Sequence, residues 1–202
     1  MRLSLLARRA ALPVLVALPA AAFAHPGHIE YYLGHDLADS MLAGLQHPFT
    51  GLDHLCAMTV LGIWSAMTAR RVWLAPLAFA LVLLAGALLG LAGMPLPGVE
   101  PMIAVSLLAL GLLTATRARL PEAAGVMVAA LFALFHGHAH GAELPDGAVA
   151  WAYIGGFMAA TVALHCIGIG IGLGLTLRKT HGWIARLLGG GVALYGILLL
   201  AL

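Results

Sequence analysis

Residues 123–143 read AAGVMVAALFALFHGHAHGAE, twenty positions without a charged side chain before Glu143, with three histidines in the last third. At 1.5 Å of rise per residue, such a run crosses the ~30 Å of a bilayer's hydrocarbon as one helix. His136 and His140 stand four apart, on one helical face and at a spacing that lets two imidazoles share a metal ion. Glu143 falls close to that face, whereas His138 points almost the opposite way. Ionisable groups within a span are costly and usually mark a binding site or a pathway. This one helix therefore predicts a membrane protein that handles metal ions or protons.

The composition agrees. Of 202 residues, 62% are apolar and only 9% are Asp, Glu, Lys or Arg, with a mean hydropathy of +1.02. A soluble domain runs nearer 45–50% and about 25%, so lipid must be part of the solvent. Ten histidines outnumber the eight Asp and Glu together, and imidazole is the side chain suited to protons and transition metals. A net charge of +2 excludes a basic nucleic-acid binder, and two cysteines outside any Cys-x-x-Cys pair make no disulfide framework.

Six such stretches are expected to cross the membrane, at about 41–69, 72–94, 99–116, 123–140, 148–177 and 183–202. Arg70-Arg71, Pro95 to Gly98, Arg117 to Pro121, Gly141 to Gly147 and Arg178 to Gly182 separate them. The fold class is thus all-α, a polytopic integral membrane protein with six transmembrane helices. Alternate connections carry Arg70, Arg71, Arg117, Arg119, Arg178 and Lys179, with Arg186 beside the last. The positive-inside rule makes these cytoplasmic. The other side collects Glu30, Asp36, Asp39, Glu100, Glu143 and Asp146.

Ahead of the spans, Arg2, Arg8 and Arg9 precede a short apolar run broken by Pro13 and Pro19. Ala22-Phe23-Ala24 then forms a small-x-small cleavage site. Residues 1–24 are expected to be a signal peptide, 25–40 a periplasmic segment and 41–202 the six-helix transmembrane domain. That places the mature protein in a bacterial inner membrane with both termini periplasmic. The free amine and ring of His25, with His28, form an expected capture site for metal, and His35, Asp36 and Asp39 extend an acidic vestibule.

The first stretch carries a second histidine cluster, His47-Pro48-Phe49-Thr50-Gly51-Leu52-Asp53-His54. On a continuous helix His47 and His54 share a face, and Met58 continues it. Asp53 lies about 100° round from His54 on an ideal helix, in a place to fix its tautomer, unless Pro48 and Gly51 distort the stretch enough to make it a ligand. The first span enters from outside and the fourth exits to outside, so both clusters fall in the outer half of the membrane. Gly51, Gly137 and Ala139 are expected to let those two helices approach closely. His165 stands alone in the fifth span, with Thr161 one turn before it, as a packing residue or a point on a permeation path with Met58. Cys56 and Cys166 read as inert core thiols. Gly86-x-x-x-Gly90 and Gly168, Gly170, Gly172 and Gly174 read as helix-packing glycines. No Gly-x-x-x-x-Gly-Lys-Ser/Thr occurs, so an ATPase subunit is not evident.

The segments His25-Pro26-Gly27-His28, His47-Pro48-x-x-Gly51-x-Asp53-His54, Phe135-His136-Gly137-His138-Ala139-His140-Gly141-x-Glu143 and Ala160-Thr161-x-x-Leu164-His165-x-x-Gly168 together resemble the HupE/UreJ family. The resemblance spans essentially the whole chain. It implies a nickel permease with a cleaved signal and six transmembrane helices, serving hydrogenase or urease. It also implies a transport site of His47, Asp53 and His54 with His136, His138, His140 and Glu143. The chemistry of imidazole and carboxylate suits Ni²⁺ or Co²⁺ as transported substrate, though Zn²⁺ and Cu²⁺ fit as well. No resident cofactor is called for. A competing reading is a membrane enzyme with histidine boxes, but no nucleophile, general acid or substrate cleft accompanies these histidines. A metal-sensing or metal-binding membrane protein is the other alternative.

Overall fold

The computed structural model of the protein describes residues 36–177 and 182–202. The expected signal peptide, the capture histidines His25 and His28, His35, and the Arg178 to His181 connection lie outside them. The described residues form seven α-helices: α1 (Leu37–Thr50), α2 (Leu52–Thr68), α3 (Leu74–Leu91), α4 (Val99–Thr116), α5 (Glu122–Ala142), α6 (Ala150–Leu177) and α7 (Gly182–Leu200). The helices α3 to α7 are each long and apolar enough to cross a membrane, which makes five. Leu81, Leu88, Met127, Leu131, Leu187 and Leu194 are all more than half exposed. Such a surface is stable only in lipid.

The first expected span is not one helix. α1 has 14 residues and α2 has 17, and Gly51 between them is extended at φ −89°, ψ 106°. Pro48 lacks the N–H that a continuing helix needs, and its ring crowds the preceding turn. Thr50 Oγ1 and the Gly51 N–H both donate to the His47 carbonyl, at 2.8 and 3.3 Å. That backbone bond closes the last turn of α1, and the extended Gly51 ends it.

Glycine decides how the helices pair. Added Cβ atoms at Gly137 and Gly141 of α5 would overlap the Leu83 and Ala87 carbonyls of α3, and Gly86 and Gly90 meet α5 the same way. Register rises together on both, so α3 and α5 run parallel. α1 and α2 lie parallel along α6 through Gly44, Gly62, Gly156, Gly168 and Gly172, and α4 lies antiparallel to α7 through Gly111, Gly189 and Gly196. Two expectations are corrected here. Gly137 serves the α3 contact, not an approach to the first span. Of Gly168, Gly170, Gly172 and Gly174, only Gly168 and Gly172 pack, since Gly170 and Gly174 face open space. The core between the pairs is built from Met58, Leu61, Phe79, Leu83, Leu107, Leu110 and Phe157, all fully buried.

A histidine cluster as candidate metal site

Four histidine rings meet in the gap between the α1–α2·α6 and α3·α5 pairs. The centroids of His47 and His140 are 4.7 Å apart, those of His54 and His140 4.4 Å, and those of His54 and His136 4.8 Å. His54, His136 and His140 are all buried. The side chains, not close backbones, bridge the two pairs. The break at Gly51 contributes directly. On a straight helix, seven residues would set His47 and His54 about 10 Å apart along the axis, whereas their rings lie 6.1 Å apart. The spacing puts both on one face of a continuous helix; in the structure they sit on two helices, on either side of the extended Gly51.

Each ring is oriented differently. Asp53 Oδ1 accepts from the backbone N–H of His54 at 2.8 Å and lies 2.7 Å from its Nδ1. A carboxylate only accepts, so Nδ1 carries a proton, and in the neutral ring Nε2 keeps its lone pair. Ser106 on α4 donates its hydroxyl proton to the Ile103 carbonyl at 2.6 Å and lies 2.9 Å from His136 Nε2. Having spent its proton, the hydroxyl accepts from His136, whose Nδ1 is then bare. The ring of His140 stacks on Phe157 at 4.8 Å and 11°. His47 Nε2 lies 3.2 Å from Glu143 Oε2, at the end of α5.

The nitrogens left over are His54 Nε2, His136 Nδ1 and both nitrogens of His140, buried and without a partner. A buried polar atom without a hydrogen bond costs about 1–3 kcal/mol, so three such rings in one gap are suited to take up water or a ligand. Among the described residues no three His, Cys, Asp or Glu donors already surround one point as a closed metal site. The lone pairs are gathered but not yet converged.

Other expected residues fall elsewhere. His138 turns away from the cluster, and its Nε2 lies 2.7 Å from the Met94 carbonyl on the α3–α4 connection. His165 is buried deeper on α6, its Nε2 unpartnered, and Thr161 bonds its own helix at Phe157 rather than the imidazole. Phe79 lies between His165 and His136, with centroids at 5.3 and 5.8 Å. Met58 is fully buried below the cluster. Cys56 is half-buried and Cys166 is exposed, so Cys166 is no core thiol. Sequence reasoning missed Ser106, Tyr153 and Phe157. Tyr153 is 1% exposed with its hydroxyl unpartnered, and its ring is 5.9 Å from His47. The spacing of Tyr153 and Phe157, four apart on one face of α6, was the available signal.

The family model of the HupE / UreJ protein matches residues 13–199. The chain belongs to this family. It is also 46% identical over 187 residues to Protein HupE of Rhizobium leguminosarum bv. viciae, covering 92% of this chain and 93% of that one. No solved structure matches. The HupE/UreJ family is one of nickel/cobalt transporters associated with hydrogenase and urease, not of enzymes. The histidine-box enzyme reading is thereby set aside.

Proposed function

We propose that the protein is a secondary permease carrying Ni²⁺, with Co²⁺ as the alternative cargo, from periplasm to cytoplasm for metalloenzyme maturation. The observation that carries this reading is the set of unpartnered imidazole nitrogens on His54, His136 and His140, buried in a membrane bundle. The signal peptide at 1–24 is cleaved, and α1 and α2 together make the sixth crossing. The histidines face the periplasm, because Arg70, Arg71, Arg117, Arg119 and Arg186 all belong to the opposite end. His47 and Glu143 receive the ion at the mouth, after capture by His25 and His28. His54, His136 and His140 then converge on it, with Asp53 holding His54. His165 and Met58 line the way inward. His138 belongs to the family motif, but its contact with Met94 gives it the task of holding the α3–α4 connection to α5.

Inward movement of a divalent cation gains ~4.6 kcal/mol per 100 mV of inside-negative potential, twice the value for a single charge. No ATP is required, provided the site binds weakly enough to release. Imidazoles whose second nitrogen is already satisfied offer a lone pair without first losing a proton.

The test is radioactive nickel flux into proteoliposomes holding an inside-negative potential. The wild-type chain should accumulate nickel, His54→Ala and His136→Ala should not, and Cys56→Ser should match wild type. Flux no greater than in empty liposomes, or full flux in both histidine variants, would sink the proposal.

A further inference from the structure

At the end of the bundle away from the histidines, a cavity of about 610 Å³ opens between the α2–α3 and α4–α5 connections. Arg70, Arg71 and Arg119 line it with one carboxylate, Glu122, while Trp64 and Leu74 contribute apolar wall. A recess of about 250 Å³ shares Arg70, Arg71 and Glu122. The Trp64 indole N–H is already bound to the Ala118 carbonyl at 2.8 Å, so its ring offers the cavity only apolar surface.

Preference for arginine on one side of a membrane explains why these residues occur in the connections. It does not explain why two connections, separated by the whole of α3 and α4, turn theirs toward a single cavity. Three exposed guanidinium groups against one carboxylate leave an excess of positive charge, which solvent screens in part and a bound anion would neutralise. Among the described residues, no ion pair engages any of the three arginines. Guanidinium forks match phosphate oxygens in pairs. The apolar wall beside them suits carbon, so the matching ligand carries phosphate and hydrocarbon together.

We propose that this cavity seats the headgroup of an anionic phospholipid, its phosphate among Arg70, Arg71 and Arg119 and its glycerol and acyl carbons against Trp64 and Leu74. Basic pockets between membrane helices hold anionic headgroups in this way. The binding is independent of what the protein transports. If the permease reading holds, a filled cavity also removes a positive field from the end where a divalent cation leaves.

The full chain, purified in neutral detergent and stripped of lipid, tests this by thermal unfolding and native mass spectrometry. Phosphatidylglycerol should raise Tm by roughly 5 °C near saturation, the scale expected for a ligand of the folded state at this chain length. It should also remain bound in the mass spectrum. Phosphatidylcholine and inorganic phosphate should do neither. The combined variant Arg70→Gln, Arg71→Gln and Arg119→Gln should lose the phosphatidylglycerol shift, whereas Arg186→Gln, outside the cavity, should keep it. If the triple variant does not fold, each single substitution should weaken the shift. Equal shifts with phosphatidylcholine would overturn the proposal, as would an equal effect of phosphate alone, which would mean a free-anion site. Shifts retained in the arginine variants would overturn it too.

Discussion

α5 and the α1–α2 pair each send two imidazoles into the same gap, and they do so by opposite means. α5 is an unbroken helix of 21 residues, locked to α3 by Gly137 and Gly141, so His136 and His140 follow from helical spacing alone. α1 and α2 are interrupted between their histidines, and a carboxylate orients each ring there, Glu143 for His47 and Asp53 for His54. One side of the site is therefore a wall set by backbone packing. The other is set by two carboxylate contacts on either side of a break, one within α2 and one from the end of α5 to α1. The shared site proposed above draws on both: its nitrogens have not converged on one point, and the extended Gly51 interrupts the helices that carry His47 and His54.

The largest effect should come from loosening the wall. Gly141→Ala places a methyl group where the Ala87 carbonyl of α3 already stands, and backbone cannot yield as a flexible side chain does. The α3–α5 pair should separate, and folded protein recovered from membranes should fall several-fold or more. Gly174→Ala, on a face with nothing within 4 Å, is the matched control and should express as wild type. Equal yields of the two variants would mean that α3 does not clamp α5.

The contrast also explains how far the sequence could be read. Hydropathy and charge placed the third, fourth and fifth spans within about two residues of α4, α5 and α6, because length and apolarity are local properties. The four-residue spacing of His136 and His140 held for the same reason: an unbroken helix keeps its period. The seven-residue spacing of His47 and His54 rested on a continuity that Pro48 and Gly51 interrupt. The rings still meet, at a different separation, by a different route. Pairing of whole helices was not legible at all. Gly137 reads equally well as facing α1 or α3, and only the three-dimensional arrangement selects α3. Ser106 escaped notice because an isolated serine in an apolar span gives no periodic signal of its partner, thirty residues away on another helix.

A second test weakens the orienting bond on the broken side. Asp53→Asn keeps the shape and an oxygen for the two His54 N–H groups, but removes the charge that holds the ring in one tautomer and strengthens it as an electron donor. Loss of such an outer partner typically costs 10–100-fold in metal affinity. Equilibrium nickel binding to the purified chain should weaken by about that much, while Tm should move little. Unchanged affinity would show that Asp53 does not act through His54.

The smallest effect should come from the corresponding bond on the wall side. Ser106 presents a neutral hydroxyl to His136 Nε2, buried and already committed to the Ile103 carbonyl. Ser106→Ala removes one neutral hydrogen bond, worth ~1 kcal/mol net, or about fivefold in an equilibrium constant. It also lets His136 carry its proton on Nδ1, the nitrogen that now points bare into the gap. Nickel affinity should fall about fivefold, less than for Asp53→Asn, because backbone packing of α5 still holds the ring in place. Ser106→Thr, which restores the hydroxyl, should recover it. The Co²⁺ absorption spectrum separates tautomer control from general loosening. A lost imidazole donor changes its d–d bands in Ser106→Ala but not in Ser106→Thr, whereas a packing defect lowers occupancy with the bands intact. A loss in Ser106→Ala as large as in Asp53→Asn would erase the distinction between the wall and the broken side, since the clamp of α5 on α3 would then contribute nothing to holding His136.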